Sequence, residues 1–309
     1  MKKILSISIV TLVAAGALYS AESLKIKLTV GDVDILKKSG GAWEKARVGG
    51  EVTRDDIIRT GANSVATLRG VTADITVAER TMIRVSSLID SQKSGVKNFD
   101  VVQKLSKKFQ SESGVYDYTT TAAGVRGDKI DGKPDVEWSE GVEEPAATVE
   151  NNIIRDARRL YSNGKYDSAI SLLNKNLKTL PAAPREEALF LLGNAYFSAG
   201  DFTSSVNCLK KVLDGRHSDP AKKAASLYQI SLACNFMGKE IEGINHLERF
   251  VKEYSDSPYR PEVHLLLARW YRETGNSERA EKNYRAIINN YPNSDIFADA
   301  ESELSSLKK

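Results

Sequence analysis

The chain has 309 residues, enough for two domains of ordinary size. Charged residues make up 28% and hydrophobic residues 41%, which excludes a chain that is disordered throughout or embedded in a membrane. The 44 lysines and arginines nearly balance the 41 acids, so the net charge of +3 creates no global field that would attract nucleic acid.

The first 21 residues have the pattern of a secretory signal peptide. Lys2 and Lys3 precede an apolar run from Ile4 to Leu18, and small residues follow at Ser20 and Ala21. We expect cleavage after Ser20 or Ala21; an earlier cut at residues 15–17 and an uncleaved membrane anchor are the alternatives. No later stretch approaches the roughly 20 apolar residues of a membrane span. The expected location is the periplasm or cell envelope.

Residues 24 to 85 alternate with the period of β-strands. Leu24, Ile26 and Leu28 are an early example, and Ile83 with Val85 a late one. Glycine-containing turns interrupt the alternation often, which favours a β-sandwich or β-roll with little room for helices.

Three motifs in this region resemble the FecR-type periplasmic domain. They are Val30-Gly31-Asp32-Val33 with the later Trp43, the turn Asp55-Asp56-Ile57-Ile58-Arg59-Thr60-Gly61, and Ala122-Ala123-Gly124-Val125-Arg126-Gly127. The resemblance implies an all-β domain at 24–127. It departs from the family at Asp55, where the family has glycine, at Asp128, where it has threonine, and at 99–110, where the spacing predicts a helix. Only three residues precede the apolar run, so the family's membrane-signalling role is not carried over.

Residues 128–152 are predicted to form an acidic linker. Eight acids are opposed by only two lysines, with glycine and proline interspersed. The alternative, a divalent-cation loop, lacks the spacing of aspartates that such a loop needs.

From residue 153 to 309 the spacing is helical and repeats. Ala157, Gly193, Ser231 and Ala268 recur every 36 to 38 residues. Each is followed by a turn glycine (Gly164, Gly200, Gly238, Gly275) and then by a small residue on a second helix (Ala169, Ser205, Gly243, Ala280). Small side chains let two helices cross closely, and glycine suits the short turn.

This pattern resembles the tetratricopeptide repeat (TPR), whose period is about 34 residues. It implies about four helical hairpins and a capping helix at Phe297–Leu307. The unit ends at Tyr254-Ser255-Asp256-Ser257-Pro258 and Tyr291-Pro292-Asn293-Ser294 look like those of envelope proteins in outer-membrane assembly or the Tol-Pal system. Cys208 and Cys234 fall in neighbouring hairpins, where buried free thiols are favoured over a disulfide bond.

No catalytic, cofactor or metal motif is present in the sequence. It contains no nucleophile elbow, phosphate-binding loop or His-Glu-x-x-His motif, and its three histidines are scattered. We therefore predict no enzyme, no cofactor and no metal site.

The first helix of each hairpin is predicted to expose a face that lines a concave groove. Aromatic, arginine and asparagine side chains suit the binding of an extended peptide; packing between units is the alternative for each. The residues assigned to this face are Arg158, Tyr161, Asn194, Phe197, Tyr228, Asn235, Phe236, Arg269 and Arg272. Trp270, one position away, is predicted to lie in the core.

The sequence thus predicts an extracytoplasmic adaptor that binds envelope proteins or peptides through the groove. Its FecR-like module would dock on a second protein or on cell-wall glycan, and the linker would set the distance between the two. The alternatives are an envelope sensor that uses the FecR-like module, and an envelope hydrolase or glycan-binding accessory with an unrecognised site.

Overall fold

The computed structural model describes residues 23–38, 42–61, 63–70, 73–79, 81–94 and 146–307. The predicted signal peptide, the helix expected at 99–110, the motif at 122–127 and most of the predicted linker lie outside these residues.

The N-terminal domain contains two four-stranded antiparallel sheets. The strands are β1 (Ser23–Val30), β2 (Val33–Leu36), β3 (Glu44–Lys45), β4 (Glu51–Thr53), β5 (Ile57–Thr60), β6 (Val65–Arg69), β7 (Asp74–Val77) and β8 (Met82–Arg84). The first sheet has the order β4-β1-β6-β7 and the second has the order β3-β2-β5-β8. A β-bulge between Ile26 and Leu28 shifts the register of β1 against β6. Consequently Ile26 points into the core, whereas Leu28 and Val30 are exposed.

The two sheets and one helix share a single apolar core. Alternate residues of each strand enter it, for example Ile26 of the first sheet and Ile58 of the second. Helix α1 (Val85–Ser94) contributes Leu88 and Ile89. The prediction that Val85 continues a strand is therefore wrong, because α1 begins at Val85, although its backbone N–H still donates to Asp56 O.

Asp56, from the FecR-like turn motif, organises the entry to β5. Its side chain is only 2% exposed and accepts hydrogen bonds from Thr53 N (2.8 Å), Lys38 N (3.2 Å) and Lys37 Nζ (2.9 Å). Burial alone would raise the pKa of Asp56, but these hydrogen bonds outweigh it and hold the pKa below its ordinary value.

Replacing Asp56 with asparagine is expected to destabilise the β domain by about 2 kcal/mol, because buried N–H donors lose a charged acceptor. Urea unfolding measures the change. Asp55→Asn is the matched control, since Asp55 makes only an exposed ion pair with Lys38 and should change stability by less than about 0.5 kcal/mol. Equal effects at the two positions would contradict this role of Asp56.

The C-terminal domain is a stack of four helical hairpins and a final helix, as predicted. The helices are α2 (Ala146–Ser162), α3 (Tyr166–Asn176), α4 (Ala182–Ala199), α5 (Phe202–Asp214), α6 (Pro220–Phe236), α7 (Glu240–Glu253), α8 (Arg260–Glu273), α9 (Ser277–Asn290) and α10 (Phe297–Leu307). The hairpins, in order, are α2–α3, α4–α5, α6–α7 and α8–α9. Helix α2 begins at Ala146, inside the segment predicted as linker, and not at residue 153.

The predicted small positions lie where two helices cross. A Cβ atom on Gly193 would lie 2.6 Å from the Leu209 side chain, and one on Gly243 would lie 2.8 Å from Ser231 O. Leu173, Leu209, Leu247 and Tyr284, the large residues of the second helices, are fully buried. The turn glycines all have positive φ, from 73° to 87°. The repeat prediction is thus confirmed in its packing as well as in its spacing.

The second sheet packs directly on the helical domain. On β5, Ile58 faces the core of the β domain and its neighbour Ile57 belongs to the helical core. Trp43 Nε1 donates to Ala199 O at 2.7 Å. Arg59 donates to Ser198 O, and its guanidinium lies 4.2 Å from the centre of the Trp43 ring.

A third anchor reaches the next hairpin. Arg84 Nη2 donates to Phe236 O at 2.6 Å, and Arg84 Nη1 lies 3.4 Å from Glu240. The sheet therefore contacts the turns of the second and third hairpins, and Arg59 also approaches Tyr166 at the first turn. The two domains therefore share a packed interface, and this contact, in addition to the predicted linker at 128–152, constrains their spacing.

Candidate protein-binding surface of the helical domain

Five of the nine residues assigned to the groove are buried. Tyr161, Asn194, Phe197, Tyr228 and Arg269 are each at most 8% exposed. The first helices are enclosed by their own second helices and by neighbouring hairpins. For these five residues the prediction of an exposed, peptide-contacting face is therefore wrong, and the packing alternative is the correct one.

The contacts of these side chains explain their burial. Asn194 Nδ2 donates to Phe190 O at 2.8 Å within its own helix. Phe197 packs edge-on against Phe202, with ring centres 5.4 Å apart. Tyr161 O–H is 3.0 Å from Ser198 Oγ on the next hairpin. The Tyr161 contact joins neighbouring hairpins, whereas those of Asn194 and Phe197 lie within the second hairpin.

The other four residues are partly accessible, and three of them have partners within the chain. Arg158 bonds Glu187, Phe236 stacks on Phe202 with ring centres 5.2 Å apart, and Arg272 lies 3.7 Å from Glu303. Asn235 is half-buried near the end of α6. That a partner peptide contacts these four side chains stays a prediction.

Glu187 and Glu186, at the start of α4, have structural roles that sequence reasoning missed. Glu187 bonds both Arg158 of the first hairpin and Lys222 of the third, so one carboxylate joins three units. Two adjacent acids at a helix start are common on solvated surfaces, and nothing in the spacing distinguished these.

Glu186 closes the connection between the second and third hairpins. It accepts Arg216 N at 3.0 Å, His217 N at 2.8 Å and Ser218 Oγ at 2.8 Å. Burial opposes the charged form, but these hydrogen bonds outweigh it and hold the pKa of Glu186 below its ordinary value of 4.5.

Glu186→Gln is expected to destabilise the helical domain by about 1–2 kcal/mol at pH 7, because two backbone N–H groups lose a charged acceptor. Since the folded-state pKa is lowered, this stabilisation is present above the unfolded pKa and disappears as pH falls through the folded pKa. Urea unfolding at pH 7 and at a series of decreasing acid pH values tests both statements. A difference between wild type and variant that is constant with pH would contradict the role of the charge.

Cys208 and Cys234 are both free and buried, and burial raises the pKa of each thiol. His264 Nδ1 is 2.8 Å from Asn283 Oδ1, a packing contact between α8 and α9.

Within residues 23–94 and 146–307, excluding the gaps given above, no group of three or more His, Cys, Asp or Glu side chains is placed to hold a metal ion. Over the same residues, no helix combines the length and apolarity that a bilayer crossing requires.

Stacked hairpins with small crossing residues, glycine turns and a capping helix define an α-solenoid repeat protein. Models of the tetratricopeptide repeat match residues 186–214 and 262–294, so the C-terminal domain contains repeats of this type. Such repeats suggest a scaffold for protein–protein interaction. Both matches lie in the helical domain. No curated protein matches the chain.

Solved TPR structures are similar to the chain. A crystal structure of MamA is 21% identical, covers 49% of this chain and 81% of its own, and has a TM-score of 0.40. A putative kinesin light chain of Podosopora anserina with TPR-like repeats is 22% identical, with 54% and 87% coverage and a TM-score of 0.42. A thermophilic TPR protein of Thermus thermophilus is 18% identical, with 52% and 98% coverage and a TM-score of 0.26.

Proposed function

We propose that the chain is a non-catalytic adaptor that binds partner proteins with its hairpin stack. The observation that carries the proposal is the set of four hairpins with its cap, because stacked helical repeats present an extended surface that contacts a partner at several units. The groove residues that remain partly accessible include Arg158, Asn235 and Arg272, and we take these as the candidate contact surface; Asn235 lies next to Phe236, whose carbonyl Arg84 of the β domain bonds.

Site-specific photocrosslinking tests this surface. A benzoylphenylalanine at position 235 replaces a half-buried asparagine on a first helix, and one at position 207 replaces an exposed asparagine on the outer second helix α5. We expect one discrete partner to crosslink from position 235 and not from 207, and the purified partner to bind the full chain saturably. Crosslinks of equal intensity from both positions, or none from 235, would exclude the first-helix surface.

We further propose that the protein is exported to the periplasm or cell envelope, on the basis of the signal-like residues 1–21. The new N-terminus should be Ala21 or Glu22, which N-terminal sequencing of the native protein from an envelope fraction determines. Recovery of the intact N-terminus would contradict cleavage and favour the envelope-sensor alternative.

The β domain, with its FecR-like motifs, would provide a second docking surface. The face of the first sheet away from the core exposes Leu28 and Val30, at 47% and 50%, and apolar surface of this kind suits a protein partner. Glycan binding is less well supported, since carbohydrate sites use aromatic rings and Trp43 is already committed to the interface with the helical domain.

A further inference from the structure

A cleft of about 320 Å³ lies between the start of α6 and the connection from α7 to α8. Ala221 and Ala224 of α6 line one side. The segment from Glu253 to Tyr259 lines the other and brings two tyrosines, two serines and Pro258 to the cleft. This volume is at the lower end of the range for ligand sites and suits a single side chain with its adjoining backbone.

The repeat itself shows why this cleft is open. Ser231 follows Gly193 by 38 residues at the same helix crossing, and Ala224 follows Glu186 by the same interval. In the second hairpin, Glu186 bonds the backbone of the following connection. The third hairpin has Ala224 at this position. Alanine is too short to fill the space that Glu186 fills in the second hairpin, so the corresponding space stays open.

The charge of the cleft favours a cationic ligand. Among the described residues that line it, the ionisable groups that are charged at neutral pH are Glu253 and Asp256, and none is basic. Asp256 is exposed and Glu253 is 41% exposed. Glu253 already accepts a guanidinium N–H from Arg249 through Oε1, at 2.7 Å. Its second oxygen can pair with another cation, and the half-buried Tyr254 lines the cleft, whereas Tyr259 is only 6% exposed.

We propose that this cleft binds an arginine side chain of the partner protein. A planar guanidinium can pair with a carboxylate and lie against an aromatic ring at the same time, which a lysine ammonium does less well. The proposal rests on the proposed adaptor function for the source of the arginine. It adds a contact site at the start of α6 and the α7–α8 connection, at the opposite end of α6 from Asn235.

The test uses the purified full chain and needs no partner. Acetyl-arginine methylamide is titrated to tens of millimolar while backbone amide resonances are recorded, and acetyl-citrulline methylamide is the neutral isostere. We expect saturable shifts at the amides of residues 253–259 with the arginine derivative and none with citrulline. Equal shifts with both compounds, shifts only elsewhere, or no saturation would overturn the proposal.

Two variants locate the binding. Ala224→Glu places in the third hairpin the residue that closes the second and should abolish the shifts. Ala298→Glu, at an exposed position of α10, adds the same charge far along the chain and should leave them unchanged. Glu253→Gln with Asp256→Asn should weaken binding roughly tenfold or more. Circular dichroism melts establish that each variant is folded. Loss of binding in the Ala298 variant would overturn the assignment to this cleft.

Because no partner is present, the arginine titration can fail while position 235 still captures a partner. The adaptor proposal would then stand without this cleft. The reverse result, saturable arginine binding without any captured partner, would remove the first-helix surface and leave the cleft as a small-ligand site.

Discussion

Replacing Glu303 with glutamine is expected to destabilise the helical domain by about 3–5 kcal/mol, because it leaves a buried arginine without its carboxylate. Glu303 lies on the capping helix α10 and is 6% exposed, while Arg269 on α8 is 3% exposed. Arg269 Nη2 lies 2.6 Å from Glu303 Oε1. Tyr284 O–H donates to Glu303 Oε2 at 2.8 Å, and burial together with this carboxylate raises the pKa of Tyr284.

The expected loss of stability comes from the uncompensated charge of Arg269, so removing that charge as well should restore stability. Glu303→Leu combined with Arg269→Met removes both charges and should recover most of the stability lost in the single variant. Glu301→Gln, at an exposed position of the same helix, is the matched control and should have little effect. Urea unfolding gives the free energies. If Glu303→Gln and Glu301→Gln behave alike, the network does not hold the cap in place.

Hydrogen exchange should locate this destabilisation. Amides of α10 and of the C-terminal half of α9 should lose protection first in Glu303→Gln, because the capping helix closes the apolar end of the stack there. Uniform loss of protection across α2 to α10 would instead indicate that the network acts on the whole domain.

The repeat architecture could be predicted from the sequence because its signal is local. Small residues at crossings and glycines at turns recur at a fixed interval, and each has a steric reason that involves only one hairpin. The final helix at Phe297–Leu307 was predicted with the bounds that the structure shows. Trp270, one position from the proposed groove face, is buried as expected.

The groove residues could not be assigned in the same way because burial of a first helix depends on its neighbours. Tyr228 and Arg269 have the side chains of a binding surface, yet both are buried. Helical periodicity identifies one face of a helix, and in α6 and α8 other faces are buried too. For Arg269 the decisive partner is Glu303, which is distant in sequence. A pattern within one hairpin cannot reveal it.

The motifs of the β domain identified important residues without revealing their partners. Trp43 and Arg59 belong to the motifs that resemble the FecR-type domain, and the structure places both against the last turn of α4. Asp34 positions Arg59 by an ion pair at 2.8 Å. The receiving groups on the helical side are backbone carbonyls, and these carry no sequence signal.

The second large effect is expected from removing the Trp43 and Arg59 side chains together. Trp43→Ala with Arg59→Ala should destabilise the contact between the domains by about 3 kcal/mol, through lost aromatic burial and lost hydrogen bonds to Ser198 and Ala199. We expect the β domain of the variant to unfold in a separate, earlier transition by calorimetry. Glu44→Ala is the control on the same sheet, since Glu44 is exposed and should change stability little.

On the helical side of this contact, the groups that accept from the β domain are carbonyls at helix ends. The last carbonyls of a helix have no partners within it, and the helix dipole places partial negative charge at that end. Arg59 satisfies such a carbonyl on α4 and Arg84 satisfies one on α6, so two successive first helices are capped by cations from one sheet. Loss of these contacts should therefore increase hydrogen exchange at the starts of α5 and α7, in addition to the freed ends of α4 and α6.

Gly200 offers an independent test of the same contact. It ends α4 with a φ of 87°, and a Cβ atom there would lie 2.8 Å from Trp43 Nε1. Gly200→Ala should therefore weaken the docking as well as strain the turn. Gly238→Ala provides the comparison, because its φ is 74° and a Cβ atom there would meet nothing within 4 Å. If the interface is as described, Gly200→Ala separates the two unfolding transitions and Gly238→Ala lowers the stability of the helical domain without separating them.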